Sequence, residues 1–394
     1  MKNKKILIVG SGIAGPALAI QLIKMGFEVD VIESREEKDM EEGLFLGLSP
    51  NGINILKGLI EEEKLYQEFA PGAIEFLNAK GKKIAALDTD DQSKKFGTQS
   101  IQVKRSLISH LLRKELAKHG VSIRYGCKLN GFEKDGELIF AKTGGRTLGP
   151  FHCVVGADGV HSKTRKLIFP NGPDPIFTNH YSTGAAEKIQ VVNSMPKKVQ
   201  MTFGNRAFFG LMQSNQGEVW WFNNFYHKET PVGGEKINLG QDDLKARLIA
   251  LHRDDHPIIV ETISKSKNLF AYPIYEIPPL PCWFREQVVL IGDAAHAVTP
   301  HTGQGASLAL EDSVVLSRCL STYDSLETAF TRFQVVREER VKKIIAQARK
   351  VGDSKSKPNP LSTFFRDLFL HYFINMEKKK MEWIYRYRPE NIAV

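Results

Sequence analysis

The chain has 394 residues, 42% hydrophobic and 25% charged, with a formal net charge of +9 and a pI near 9.1. It is long enough to bury a full core as one large or two medium domains, and no window approaches a transmembrane length. Four scattered cysteines (Cys127, Cys153, Cys282, Cys319) exclude a disulfide framework and a zinc site, predict no metal, and point to a reducing, cytoplasmic compartment.

The lysine-rich start, Met1 to Lys5, precedes only a short apolar run, Ile6 to Val9, that breaks into Gly10-Ser11-Gly12; it reads as a first strand, not a signal peptide. Gly10 to Gly15 is a turn, Pro16 to Met25 a helix ended by Gly26, and Val29 to Ile32 a second strand with Glu33 at its tip. Together they make a βαβ unit of about thirty residues. A helical pattern follows from Asn51 to Phe69, then a β-meander from Ile74 to Asp88 turning at Lys80-Gly81-Lys82. Another helix opens at Val103 to Ser106 and closes at His119-Gly120. Val121 to Tyr125, Glu137 to Ala141 and Cys153 to Val155 are strand-like. From about residue 175 to 275 the texture becomes alternating strands (200–203, 207–212, 219–225) rich in aromatics, as in an antiparallel sheet whose face holds an organic ligand. Pro273 to Pro281 returns the chain to an apolar strand at Val288 to Ile291. Helix then runs from Ser307 to Val351, a linker from Asp353 to Pro360, and a last helical segment from about Leu361 to Tyr387.

Gly10-x-Gly12-x-x-Gly15 lies between strand and helix, where its glycines permit the turn, close approach of backbone N–H groups to a pyrophosphate, and close helix–strand packing. Glu33 is placed to accept from a ribose diol. This motif alone does not separate FAD from NAD, and Arg35 beside Glu33 keeps that open. A second motif is Gly156-Ala157-Asp158-Gly159, followed by basic residues that open a helix. The third is Gly292-Asp293-Ala294-Ala295-His296 at a strand end, then Pro300 and Gly303-Gln304-Gly305 leading into a helix. An acidic acceptor followed by a helix N-terminus suits the ribityl hydroxyls and the anionic reduced ring of a flavin. The basic balance is read as solvated faces, or as attraction of phosphorylated cofactors and an acidic or phenolate substrate. Dispersed lysines and the lack of a recognition motif argue against nucleic acid.

These three motifs in this order, over about residues 4 to 340, resemble the class A FAD-dependent aromatic monooxygenases, typified by p-hydroxybenzoate, salicylate and urate hydroxylases and the tetracycline-inactivating enzymes. The resemblance implies an α/β fold: a Rossmann-like FAD domain of the glutathione-reductase-2 type (1–72, 98–174 and 280–350), an inserted antiparallel β-sheet substrate domain (73–97 and 175–279), and a linker and C-terminal helix (351–394). It implies FAD, with NADPH or NADH as co-substrate, O2 reacting at the reduced flavin to give a C4a-hydroperoxide, and hydroxylation of an aromatic or polycyclic molecule. Epoxidase or reductase chemistry on the same scaffold, or a non-catalytic flavin redox sensor, are the alternatives. The protein is expected to be monomeric or homodimeric, without stable membrane insertion.

Carried over by position, Gly10, Gly12, Ile13, Ala14 and Gly15 would meet the pyrophosphate, and Glu33, Ser34 and Arg35 the adenosine ribose. Arg105 would contact the flavin chain, Leu129 the adenine through its backbone, and Asp158 would serve both nucleotides. Asp293 would accept from the ribitol, while Pro300, Gly303, Gly305 and Ala306 line the isoalloxazine. Phe45 stands where the family often has glycine. It is a substrate-side candidate with Arg206, Trp221 and Asn223, and adjacent Trp220 and Trp221 must point to opposite faces of their strand. Candidate bases are His227, Tyr181 and His301, with His180 and Tyr226 nearby. The terminal Phe/Tyr-rich segment with Lys378 to Lys380 is expected to pack across its own domains.

Overall fold

A computed structural model describes residues 4–41, 45–66, 72–191, 198–228, 240–355 and 381–394. With elements numbered in chain order, one sheet has the order β17 (Phe284–Arg285), β18 (Val288–Leu290), β11 (Cys153–Gly156), β1 (Lys5–Val9), β2 (Glu28–Ile32) and β7 (Ile123–Arg124). All its neighbours are parallel except β17 and β18. Burial on both faces explains why β1 and β11 read as unbroken apolar runs rather than as alternation. Helices α1 (Ala14–Lys24), α5 (Arg105–Lys118) and α10 (Gly305–Thr322) contribute to the same core, with Leu18, Leu112 and Leu316 fully buried.

The second sheet has the order β16 (Phe270–Glu276), β12 (Ile176–Glu187), β15 (Val219–Tyr226), β14 (Phe208–Gln213), β13 (Lys198–Phe203), β4 (Ala73–Asn78) and β5 (Lys83–Asp88). It is antiparallel save for one pair: β13 runs parallel to β4, which the alternating pattern does not reveal. The long excursion through the first sheet between β5 and β13 makes this parallel pairing sterically simple. Helices α7 (Gln241–His252) and α8 (Pro257–Lys265) cover one face, burying Leu244, Leu248, Ile259 and Ile263 against Trp221, Phe209 and Tyr181. Two smaller sheets, β10 (Arg146–Phe151), β9 (Leu138–Thr143), β8 (Leu129–Asp135) and the pair β3 (Phe45–Leu48), β6 (Ile101–Lys104), complete the strands.

The covered face carries a buried polar chain. Asn223 Nδ2 donates to His252 Nε2 (2.6 Å), His252 Nδ1 donates to Asp255 Oδ2 (2.6 Å), and Asp255 Oδ1 accepts from the Asn205 backbone N–H (2.9 Å) and side-chain amide (2.8 Å). Asp255→Ala leaves these donors unpaired, and each buried one costs about 1–3 kcal/mol. A lowered urea midpoint is the expected result; an unchanged midpoint and slope would refute this clamp.

Several expected boundaries move: the helix expected from Val103 starts at Arg105 after β6, and the one expected from Ser307 to Val351 is broken between Thr322 and Leu326. The helical stretch from Asn51 is two helices, α2 (Pro50–Lys57) and α3 (Glu62–Tyr66), because the chain turns at Gly58, whose carbonyl accepts from Lys24 Nζ (2.9 Å); residues 67–69 lie outside the described residues. Helix α11 (Leu326–Lys355) runs into the expected linker, since no proline interrupts the chain between Leu326 and Pro358. Of the last segment, residues 381–385 are helical, while 356–380, including Lys378 to Lys380, lie outside the described residues. Short helices α4 (Asp90–Phe96), α6 (Lys163–Ile168) and α9 (Asp293–His296) complete the set used below. Among the described residues no helix is long and apolar enough to cross a membrane.

Candidate active site

The three glycine-bearing motifs meet at the carboxyl ends of β1, β11 and β18. Gly10 donates to the Ile32 carbonyl (2.8 Å), and Ala157 donates to the Val9 carbonyl (2.8 Å). A Cβ on Gly10 would collide with the Ala157 carbonyl oxygen, and one on Gly15 with the Gly10 carbonyl oxygen. Gly12 is different: its missing Cβ faces open space. Helix α1 starts at Ala14 beside that space with no side-chain cap and no acidic residue in its first turn. Its first-turn N–H groups and dipole are therefore available to an anion.

Glu33 is buried at the rim of this crevice. Its Oε2 accepts from the Ser11 N–H (2.8 Å) and hydroxyl (3.1 Å), and its Oε1 from the Arg35 N–H (3.0 Å) and Ser34 hydroxyl (3.3 Å). Burial pushes the carboxyl up, but these donors and the Arg35 guanidinium outweigh it and hold the group below its ordinary 4.5. A depressed carboxyl stabilises the fold above the ordinary value and loses that contribution as pH falls through the lowered one. The stability gap between wild type and Glu33→Gln is thus expected to be widest near neutrality and to shrink below pH 4.5. Equal gaps at pH 7 and pH 3 in urea titrations would contradict this.

Opposite the crevice, Asp293 opens α9 after Gly292, whose φ of 59° is left-handed. The Asp293 carboxylate has no hydrogen-bond partner among the described residues and points toward Gly305, at the uncapped start of α10. The Thr299 and Thr302 hydroxyl oxygens are buried without partners among the described residues in the same loop. Gly303 (φ 62°) turns this loop beside the Gly47 carbonyl of β3, while Pro300 is exposed and Ala306 half-buried. The side chain of His301 lies outside the described residues.

A buried network behind the loop fixes it. Gln304 Nε2 donates to Ser49 Oγ (2.9 Å), and Asn51 Nδ2 donates to Gln304 Oε1 (3.1 Å) and Glu311 Oε1 (2.7 Å). Asp312 Oδ2 accepts from the Gly292 N–H (2.8 Å) and His296 Nε2 (2.7 Å). Arg337 and Arg340 of α11 close it, with Arg337 on both carboxylates (2.7 Å each) and Arg340 in a two-pronged pair with Glu311 (2.8 and 2.7 Å). Burial pushes Glu311 and Asp312 up, yet the two arginines on Glu311, and His296 and Arg337 on Asp312, hold both carboxyls below their ordinary values. Sequence reasoning missed this set. Its one signal is the adjacent acidic pair Glu311-Asp312 directly after the apolar run Leu308-Ala309-Leu310.

The substrate-side candidates divide by strand parity. Phe45 stacks on Trp220 (5.2 Å between centroids) and meets Phe222 edge-on (5.9 Å), so the Trp220 face of the second sheet looks toward β3 and the flavin-type loop. Trp221 and Asn223 point the other way and are corrected: Trp221 stacks on Phe209 (5.5 Å) and donates to Ser266 Oγ (2.8 Å), and Asn223 belongs to the His252 chain. Tyr181 is buried against Phe225 on that same covered face, and His227 Nδ1 accepts from Arg247 Nη2 (2.9 Å), so neither reaches the loop as a base. His180 packs on Tyr226 (5.6 Å), which is half-exposed at the strand end. Arg206 is exposed and bound to Asp254 (2.9 Å) and the Ala250 carbonyl (3.1 Å), away from the aromatic face. The Asp158 carboxylate accepts from Ser162 and from the Thr164 N–H and hydroxyl (2.9 Å each), capping the start of α6. Arg105, first in α5, is exposed, and Leu129, first in β8, is buried in the main core.

Comparisons with known proteins agree with this architecture. A family described as FAD binding domain matches residues 3–325. The aurachin C monooxygenase/isomerase of Stigmatella aurantiaca is 26% identical over 92% of each chain. The 2-heptyl-3-hydroxy-4(1H)-quinolone synthase of Pseudomonas aeruginosa is 28% identical over 95% of this chain and 96% of its own. Among solved structures, Klebsiella pneumoniae HpxO complexed with FAD and uric acid superposes with a TM-score of 0.83 at 20% identity, over 94% of this chain and 93% of that one; this likeness shows the fold.

Proposed function

The chain belongs to the FAD-binding-domain family and is a flavoprotein monooxygenase of the aromatic-hydroxylase type, and on that premise we propose that it uses NAD(P)H and O2 to hydroxylate an aromatic ring. The balance is ring C–H + O2 + NAD(P)H + H+ giving ring C–OH + NAD(P)+ + H2O. The observation that carries this reading is the meeting at β3, where Phe45 packs on the aromatic sheet face and Gly47 lies beside Gly303 of the loop that follows Asp293. The quinolone-synthase relative favours a fused nitrogen heteroaromatic nucleus.

The residues fit FAD on their own chemistry: an unpaired carboxylate, two orphaned hydroxyls, two uncapped helix starts and open space over Gly12. FAD supplies, when bound, the acceptance of a hydride and the activation of O2. Gly12, Ile13, Ala14 and the start of α1 would hold its pyrophosphate, and Glu33 its ribose diol. Asp293 would accept from the ribityl hydroxyls. The start of α10, at Gly305 and Ala306, would place its positive end against the electron-rich edge of the ring and so favour its reduced, anionic form. Arg105 would reach the flavin chain from the start of α5. Phe45, Phe222 and Phe208 would hold the substrate ring and exclude water.

The test is NAD(P)H oxidation by the FAD-loaded protein in air, against quinolones, hydroxypyridines and phenols, with product mass recorded. Stimulated oxidation with one oxygen added to the product is expected. Oxidation at the same rate with and without every ligand would contradict the proposal.

A further inference from the structure

Resting on the hydroxylase reading above, we propose that the substrate is a neutral, planar aromatic bearing an apolar substituent. Asn224 selects it by accepting a hydrogen bond from its N–H or O–H group.

The sheet face toward Phe45 can be read from register. Phe222 lies opposite Gly210 and Gly184, Asn224 opposite Phe208 and Ser182, and Met201 and Phe203 continue the face across β13 to Phe76 on β4. The rings are continuous: Phe45 to Phe222 (5.9 Å), Phe222 to Phe208 (6.0 Å), Phe208 to Phe203 (5.3 Å) and Phe203 to Phe76 (6.2 Å). All but Phe208 keep part of their surface open. This wall is several rings long, more than one aromatic nucleus can cover, so the remainder suits an alkyl or prenyl substituent.

Fixed positive charge is missing where an acidic substrate would require it. The same register adds His180, Tyr226 and Tyr272 to this face, with His180 Nδ1 on the Thr178 carbonyl (2.8 Å) and its ring against Tyr226. No lysine or arginine is among the residues placed here. The cations nearest in sequence are engaged elsewhere: Arg206 on Asp254, and Lys104 on Glu218 (2.8 Å) at the Trp220 end. Gly210 enforces the same outcome, since a Cβ there would run into the Phe222 ring, so no longer side chain can stand at that position without displacing it. A carboxylate entering this site would lose its water to aromatic faces without a counter-charge.

Polar side chains interrupt the apolar wall at Ser182 and Asn224. The Asn224 side-chain oxygen is buried and has no hydrogen-bond partner among the described residues. An orphaned acceptor is an unfavourable group that a ligand donor relieves and a ligand acceptor aggravates. It therefore discriminates for a ring N–H or hydroxyl and against an anion. The parity of β15 makes this residue, and not its neighbour Asn223, the one on the ligand side.

The experiment uses the full chain loaded with FAD. It is titrated with 2-heptyl-4(1H)-quinolone, its N-methyl derivative and salicylate, reading Kd from the flavin absorption change, KM from NAD(P)H oxidation and product mass. The quinolone should bind about tenfold more tightly than its N-methyl derivative, the ratio expected for one hydrogen bond to a desolvated acceptor. Asn224→Leu should bring that ratio close to one, and Asn224→Asp, which keeps an acceptor, should preserve it. Equal binding of both quinolones by the wild type would overturn the role of Asn224. Tighter binding and hydroxylation of salicylate would overturn the neutral-substrate inference and leave the hydroxylase reading standing. No flavin perturbation and no stimulated NAD(P)H oxidation with any of the three would overturn the inference, and the broader ligand panel then decides the hydroxylase reading separately.

Discussion

Arg337→Met is expected to destabilise the protein by about 3–5 kcal/mol, the cost of stranding buried charge when one partner of a pair is removed. Arg337 is fully buried, bound through Nε to Asp312 and through Nη1 to Glu311 (2.7 Å each), and also donates to the Tyr387 hydroxyl (3.0 Å). Burial disfavours its charge, but the two carboxylates raise its pKa above the ordinary arginine value, so it stays cationic at any working pH. Removing it leaves two carboxylates with Arg340 and His296 alone. Because desolvation offsets most of the Coulomb gain, the network adds little net stability, and its value lies in position. Asp312 holds the Gly292 N–H in its left-handed turn, and Glu311 holds Asn51 against Gln304, so Arg337→Met should weaken FAD binding as well as folding. Arg337→Lys should not restore either, since one ammonium cannot reproduce the planar fork that reaches both carboxylates. Differential scanning calorimetry with and without FAD reads both effects. A wild-type midpoint in Arg337→Met would refute the account of this network.

Gly15→Ala and Gly12→Ala should separate folding from cofactor binding. A Cβ at position 15 collides with the Gly10 carbonyl and also crowds Ile8, so the turn and α1 must shift, at about 1–3 kcal/mol for overpacking of this kind. Gly15→Ala is therefore expected to lower the melting temperature of the FAD-free protein and to lose FAD. At position 12 a Cβ meets nothing within 4 Å in the protein itself. Gly12→Ala should keep the melting temperature of the FAD-free protein and bind FAD poorly, because the added methyl occupies space that the pyrophosphate needs. Fluorescence titration with FAD, paired with thermal unfolding, distinguishes the two. Equal FAD affinity in Gly12→Ala and wild type would remove Gly12 from the site.

Much of the fold was legible because its signals are local. The β1–turn–α1–β2 unit combines an unbroken apolar run, a glycine turn and an apolar helix, and the structure has all three. The alternating aromatic strands also appear where their period of two predicts. The parallel β13–β4 pair was not legible, since period does not reveal which distant strand becomes a neighbour. For the site, parity correctly separated Trp220 from Trp221 but could not say which face meets the loop; the Phe45–Trp220 stack decides that. Asn223 and Asn224 are indistinguishable by composition, and one residue of register sends them to opposite sides. That the Asp158 carboxylate takes the Thr164 N–H at the start of α6 was not legible, because a turn aspartate and a helix cap share one sequence pattern, Asp-Gly before Ser-x-Thr. Arg337 and Arg340 carried no signal at all, because their partners lie 25 or more residues away and only tertiary packing brings them together.

The central claim is that this flavoprotein inserts one atom of O2 into an aromatic ring, and product formation under 18O2 tests it most directly. With FAD-loaded protein, NAD(P)H and 2-heptyl-4(1H)-quinolone, the product should gain a single 18O, with one NAD(P)H consumed per product molecule. A product whose added oxygen derives from water, or one reduced without added oxygen, would contradict the account.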